Sequence, residues 1–474
     1  MTPAENDVVT WHLSQDARRQ IADSVAARRS ADLSTLAELV ALPSIAWPSE
    51  DPAHVRASAE KVVELAAGLN VFDEINIRQA DSALGGRGQP AVIARRAAKN
   101  GAPTVMLYAH HDVQPVGDLE LWQSEPFVLT ERDGRVYGRG SADDKAGIVS
   151  HLSAIRALVA HAGEDFDLGL VLFVEGEEEY GSPSFANFVR AYRDELASDV
   201  IIVADSGNWS TEIPALTTSL RGVVTVHVTV RTLDHAVHSG MFGGAIPDAT
   251  MALTQLLARL HDENGEVAVP GLRSFETPTP AYDLARLREE SGLLAGVSAV
   301  SGSGSILDRI WTKPSITVTG IDIPSVANAS NTLQPAVTAV ISLRVVPGQS
   351  AQEAAGALIS FLTENSPFSA EVTASLEHLG EACEMDPMTP AARLARAAMS
   401  EAWDVDPINM GVGGSIPFIT EFRSVFPGAD ILVTGIEDPD SRAHSPNESL
   451  HLGVFEKATT AEALLLAELN TYTE

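Results

Sequence analysis

Apolar residues recur along this chain at two different spacings, and the spacing changes with position. Over residues 14–42 they fall three and four apart, which predicts helices. Three short runs are instead almost continuously apolar: Thr104–Ala109 (TVMLYA), Leu168–Val174 (LGLVLFV) and Val200–Ala204 (VIIVA). Each predicts a buried strand. Ala146–Ala162 and Ser184–Leu196 return to helical spacing between them. Buried strands alternating with helices predict an α/β domain with a mostly parallel central sheet.

The pattern changes after about residue 217. Val223–Arg231 (VVTVHVTVR) alternates and is β-branched, as a sheet with one covered face requires. Pro247–His261 predicts a helix, and residues 264–314 carry the breakers PTP and SGSGS. Strands are expected at Ser315–Thr319, Val337–Val346 and Ala370–Leu376, with a helix over Gln352–Leu362. From about residue 385 the helix–strand alternation resumes. The expected architecture is a main α/β domain, residues 1–216 and 381–474, interrupted by a smaller α/β domain of βαβ type, residues 217–380.

Composition narrows the chemistry. The 474 residues carry a formal net charge of −32. Such a surface repels nucleic acid and anionic membranes, so neither is an expected partner, and solubility is its plainest meaning. Cys383 is the single cysteine, which excludes internal disulfides and thiolate zinc sites. Any metal must be held by His, Asp and Glu. The chain starts without a basic segment followed by an apolar run, and its densest apolar stretch is too short to span a bilayer. A soluble, cytoplasmic protein is expected.

Five polar clusters stand out. Tyr108–Pro115 (YAHHDVQP) follows a buried strand, where ligands of open α/β sheets collect. His110 and Asp112 are two apart and share a face, so Asp112 can fix the His110 tautomer. Tyr137–Gly147 (YGRGSADDKAG) sets two acids before a helix. A helix cap is its plain structural reading, and a phosphate loop is disfavoured because no Gly-Lys-Ser/Thr pattern follows. Val174–Ser182 (VEGEEEYGS) places three successive glutamates at a strand end. That crowding is costly unless the loop is solvated or a cation is bound. Asp205 follows the third buried strand, and His444 lies far away in RAHSPNE. Two histidines and several carboxylates without cysteine suit a pair of divalent ions bridged by a carboxylate.

The segments YAHHDVQP, GRGSADDKAG, EGEEEYGS and AHSPNE, with HSGMFGG in the insert, resemble the signature segments of the M20 family of metallopeptidases. The dipeptidase and carnosinase branch is the nearest in pattern, and the match runs in order from about residue 105 to 450. The resemblance implies a catalytic main domain and a lid and dimerisation insert. It implies hydrolysis of a dipeptide amide bond by water activated between two divalent ions, zinc first, with manganese or cobalt also compatible. His110, Asp143 and Asp205 would hold one ion, and Asp143, as the bridge, with Glu179 and His444 the other. Glu178 would be the general base and Asp112 the support of His110. Alignment on Gly181-Ser182 selects Glu178 and Glu179, whereas a slip by one residue would select Glu177 and Glu178. The family often holds the peptide matching Asp143–Asp144 in cis geometry. His238 would act in the active site of the partner subunit of a homodimer. Arg344 would clamp the substrate carboxylate, with Thr332, Gly414 and Ser415 as further contacts. Asp205, where acyl-removing branches tend to carry Glu, favours a dipeptidase. The alternatives are an N-acyl amino acid deacylase or carboxypeptidase of the same family and, remotely, a non-catalytic peptide-binding protein. His111, His151, His161, His227 and His235 read as structural or surface residues.

Overall fold

The computed structural model describes residues 11–300, 302–414 and 417–471. They form two compact units. The first holds the residues up to Thr218, Met385–Met410 and those from Glu421 onward; the second holds Ser219–Glu384 and Gly411–Thr420.

In the first unit the strand Thr104–His110 lies between Gly169–Glu175 and Val200–Val203, parallel to both. Val200–Val203 pairs in parallel with Asp430–Val433. Antiparallel strands extend this parallel centre on either side: Ala91–Arg96 and Glu74–Arg78 beyond Gly169–Glu175, and Ala215–Leu220 beyond Asp430–Val433. All of Gly169–Glu175 is buried, which is why its sequence runs apolar without alternation. After Thr104–His110 the chain adds one strand on one side and the next on the other. Such a reversal opens a crevice at the carboxyl ends of the strands.

The helix Lys145–Ala162 packs against Gln15–Val40 and Leu452–Asn470 and is buried over most of its length. Lys145 itself is fully buried, and its Nζ donates to the carbonyls of Leu39 and Leu42 at 2.9 and 2.6 Å. Burial pulls its pKa down to about 7. On the sheet, Phe173 stacks on Phe188 at 5.2 Å and meets Tyr108 edge-on at 5.5 Å.

The second unit is a four-stranded sheet in the order Ser315–Asp322, Ala336–Val345, Gly222–Arg231, Glu371–Gly380. All its pairings are antiparallel, so the insert is not of βαβ type. Val224, Val226, Val228 and Val230 are buried in the core cluster that also holds residues of the helices Ala249–Ala258 and Ala351–Glu364. The alternate residues Thr225, His227 and Thr229 face the other way.

Several elements differ from expectation. Residues 14–42 are dominated by one helix, Gln15–Val40. The helix over Ser184–Leu196 breaks at Tyr192 (φ −110°, ψ 26°) into Phe185–Ala191 and Arg193–Leu196. The loop-rich stretch contains the helix Leu284–Ser291, capped by Asp283, and Ile306–Trp311, opened by a Ser305/Asp308 capping box. The segment Gly411–Thr420, expected in the main domain, clusters with the insert. No helix among the described residues is long and apolar enough to cross a membrane. Phe173→Ala, which empties a site only 1% exposed, is expected to lower the stability of the main unit by about 3–5 kcal/mol in urea unfolding.

Candidate metal centre

Three neighbouring parallel strands end at one edge, and their register fixes what meets there. His110 lies beside Glu175, and Tyr108 beside Val203, two residues before Asp205. The loop after Glu175 therefore delivers Glu178 and Glu179 next to His110. Gly176 permits this turn, because a Cβ there would lie 2.4 Å from the Pro90 carbonyl oxygen and 2.8 Å from His111 Nε2.

The side chains gather in two groups. Ligand atoms of His110, Glu178 and Asp205 lie within 4.8 Å of one another, as do those of Asp143, Glu179 and His444. Asp143 touches both histidines: Oδ1 is 3.1 Å from His110 Nε2, and Oδ2 is 3.1 Å from His444 Nε2. Glu179 Oε2 is also 3.1 Å from His444 Nε2. The Asp143–Asp144 peptide is cis. The donors are oxygens and imidazole nitrogens only, a set that suits divalent zinc, manganese or cobalt. Four carboxylates against two imidazoles match the charge of two such ions, so the residues fit a dinuclear centre.

His110, Glu178 and Glu179 are held from behind. His110 Nδ1 lies 3.2 Å from the Asp112 carbonyl and 3.4 Å from its carboxylate, which places the proton on Nδ1 and leaves Nε2 as the free donor. The Asp112 carboxylate in turn accepts the backbone N–H groups of Glu178 and Glu179, both at 3.1 Å. Gln114 donates through Nε2 to Glu179 Oε2 at 2.7 Å and through its backbone to Oε1 at 3.2 Å. Glu177 is spent elsewhere: its carboxylate accepts the backbone N–H groups of Gln89 at 2.8 Å and Ser184 at 2.7 Å.

The electrostatics are those of several carboxylates crowded together away from water. Burial, reinforced by Glu179, Asp112 and Asp143, pushes Glu178 up to about 8. Burial and then Glu178 raise Asp205 well above the usual carboxylate range. Burial and then Asp143 raise Glu179. Burial works against ionised Asp143, but bonds from His110 and His444 hold its carboxyl low. His444 is pushed up to about 10 by the bonds to Asp143 and Glu179.

The model of peptidase family M20/M25/M40 matches residues 106–468, which span every residue of both groups. The chain belongs to this family. It is 33% identical over 438 residues to a cysteinylglycine-S-conjugate dipeptidase of Corynebacterium striatum, covering 90% of this chain and 94% of that one. It is 30% identical to a Cys-Gly metallodipeptidase of Schizosaccharomyces pombe, covering 78% and 80%. The fold is similar to that of the dipeptidase Dug1p from Saccharomyces cerevisiae, with a TM-score of 0.80, 24% identity and coverage of 97% and 100%. Human carnosine dipeptidase 1 shares it with a TM-score of 0.76, 23% identity and coverage of 96% and 99%. The mixed α/β sheet with a separate antiparallel insert is therefore the fold of M20 dipeptidases.

The remaining expected residues lie in the second unit. Val237–His238 pairs with Thr332–Leu333, which sets His238 opposite Thr332. His238 is exposed, and its Nδ1 accepts the Gly240 N–H at 3.0 Å. The neutral ring then carries its proton on Nε2, as a donor. Arg344 is half-buried on Ala336–Val345. Gly414 is described; Ser415 lies outside the described residues.

The sequence reading missed Glu448. Its buried carboxylate accepts from Arg139 Nη1 at 2.6 Å and from the backbone N–H groups of Gly140, Ala142 and Asp143 at 3.1, 3.0 and 3.1 Å. It thus shapes the loop that presents Asp143. The signal was Arg139, a charged residue inside a glycine-rich motif whose own acids, Asp143 and Asp144, turn to His110 instead. Asp144 was also left without a role, and it accepts the His110 backbone N–H at 3.1 Å.

Glu448→Gln is expected to weaken divalent-ion affinity about 10–100-fold in a chelator competition titration. Metal binding is also expected to release protons at pH 7, because His444, pushed up to about 10, and Asp205, raised well above the usual carboxylate range, must lose theirs to coordinate. Affinity should therefore rise with pH, and titration calorimetry in buffers of different ionisation heat reads the released protons.

Proposed function

We propose that this M20 family member is a metallodipeptidase with two divalent ions per subunit, zinc in the first instance. The observation that supports it most is the Asp143 carboxylate, which reaches one histidine of each ligand group. Two relatives, a cysteinylglycine-S-conjugate dipeptidase and a Cys-Gly metallodipeptidase, supply the substrate class. His110, Asp143 and Asp205 are the proposed ligands of one ion, and Asp143, Glu179 and His444 those of the other. When bound, such ions polarise a scissile carbonyl and lower the pKa of water.

The protein's own residues supply the rest. Glu178 accepts a proton from the attacking water at a carboxylate oxygen and returns it to the departing amine nitrogen. Asp112 keeps the His110 proton on Nδ1 and fixes the backbone of Glu178 and Glu179 at once. His238 of the partner subunit donates its Nε2 proton to the developing oxyanion. Arg344 pairs with the terminal carboxylate through its guanidinium fork, and Thr332, Gly414 and Ser415 complete that contact. A homodimer is part of this reading. It is supported by the apolar side chains Met241 and Phe242 exposed beside His238, and by Val318 and Ile321 exposed on an edge strand. A cytoplasmic location fits a chain with one cysteine.

Metal-free enzyme reloaded with zinc or manganese is expected to cleave dipeptides, Cys-Gly among them, and to leave tripeptides and N-acetyl amino acids largely intact. Glu178→Ala should lower kcat by at least about a hundred-fold, the lower range for a lost general base, while two ions still bind. Cleavage of N-acetyl amino acids alone would move the substrate class to a deacylase. Loss of one ion in Glu178→Ala would make Glu178 a ligand, as its grouping with His110 and Asp205 allows.

A further inference from the structure

Arg221 opens the turn between the strands Ala215–Leu220 and Gly222–Arg231 and is only 8% exposed. Its donors reach uncharged acceptors alone. Nε donates to the Gly413 carbonyl at 3.0 Å, and Nη1 to the carbonyls of Lys313 and Arg309 at 3.1 and 3.3 Å and to Ser315 Oγ at 3.2 Å. Its backbone N–H donates to Val412 at 3.2 Å. Ser315 is the cross-strand partner of Arg344, so the two guanidinium groups flank one residue. Each is desolvated, and Arg344 adds to the depression of Arg221, which falls to about 10. The Arg344 guanidinium has no hydrogen-bond or ion-pair partner among the described residues.

Two neighbouring cations without a carboxylate are unusual in a chain with 64 acidic and 32 basic residues. Burying an uncompensated charge is costly, and an anion placed between the pair would offset that cost. Arg221 commits Nε and Nη1 to the Gly413, Arg309 and Lys313 carbonyls and Ser315, whereas the Arg344 guanidinium commits none of its donors. Gly413 is shaped to accept this arrangement, because a Cβ there would lie 2.8 Å from Arg221 Nη2 and 3.1 Å from Ile310.

We propose that Arg221 is a positioning residue for recognition of the substrate's free C-terminal carboxylate: it anchors the Gly413-Gly414 backbone and keeps Arg344 available for an anion. The proposal rests on the dipeptidase reading and deepens it. Arg221 touches no substrate. It acts by holding the glycine segment whose N–H groups, with Arg344, meet the carboxylate.

The test compares a dipeptide with its C-terminal amide, using the full-length, metal-loaded protein and reading kcat and KM for each. Arg221→Met is expected to cut the preference for the acid at least about ten-fold, through KM, as loss of charge-assisted hydrogen bonds implies. Arg344→Met should cut it at least as much. The double variant should fall no further than Arg344→Met alone, since both act on one carboxylate. If Arg221→Met does not fold, Arg221→Lys, which keeps the charge but loses the fork, should lower the preference about three-fold or more. An unchanged preference in the Arg221 variants, with a lowered one in Arg344→Met, overturns the proposal and leaves the dipeptidase reading standing. Equal losses on acid and amide in the Arg221 variants would show a merely structural role and overturn it too. An unchanged preference in Arg344→Met would remove the carboxylate anchor itself, and the proposal with it.

Discussion

Like charges cannot crowd together inside a protein unless protons or cations lie among them. Glu178, Asp205, Asp143 and Glu179 are brought that close at one edge of a parallel sheet. The rest of the main unit can be understood from this constraint. Parallel strands send their carboxyl ends the same way, so each loop leaving the sheet adds its side chains to the same crevice. The apolar strands behind it, fully buried, fix the positions from which those loops depart. The raised pKa values of three of the acids and of both histidines express the same constraint.

The ligand groups are kept in place by residues that themselves bind nothing. Glu448 gathers three backbone N–H groups and Arg139, and Asp112 gathers two N–H groups and the His110 ring. Each is a buried carboxylate made tolerable by several donors. Their geometry orients Asp143 on one side and the Glu178-Glu179 pair on the other. A carboxylate of a candidate ligand group is thus aimed by another that lies outside the group.

Much of the framework was legible because it rests on local pattern. The three apolar runs announced strands, and the acids just beyond them announced strand-end clusters. What stayed hidden depends on contacts far apart in sequence. Glu448 lies 309 positions from Arg139, and no spacing rule reaches that far. Within Glu177-Glu178-Glu179, spacing alone could not tell which side chain turns to the backbone and which two turn toward the histidines; the bonds of Glu177 to Gln89 and Ser184 separate them. The placing of Gly411–Thr420 with the insert goes with the bond from the Arg221 guanidinium to the Gly413 carbonyl, which leaves no mark in local composition. The strands Glu74–Arg78 and Ala91–Arg96 were missed because they are short and interrupted by arginine or acid.

The central claim is that these side chains hold two ions bridged by Asp143. Anomalous diffraction from crystals of the zinc-loaded protein tests it most directly. The account predicts two peaks about 3.5–4 Å apart on either side of the Asp143 carboxylate. One would lie beside His110 and Asp205 and the other beside Glu179 and His444. A single peak, or peaks away from Asp143, would contradict it.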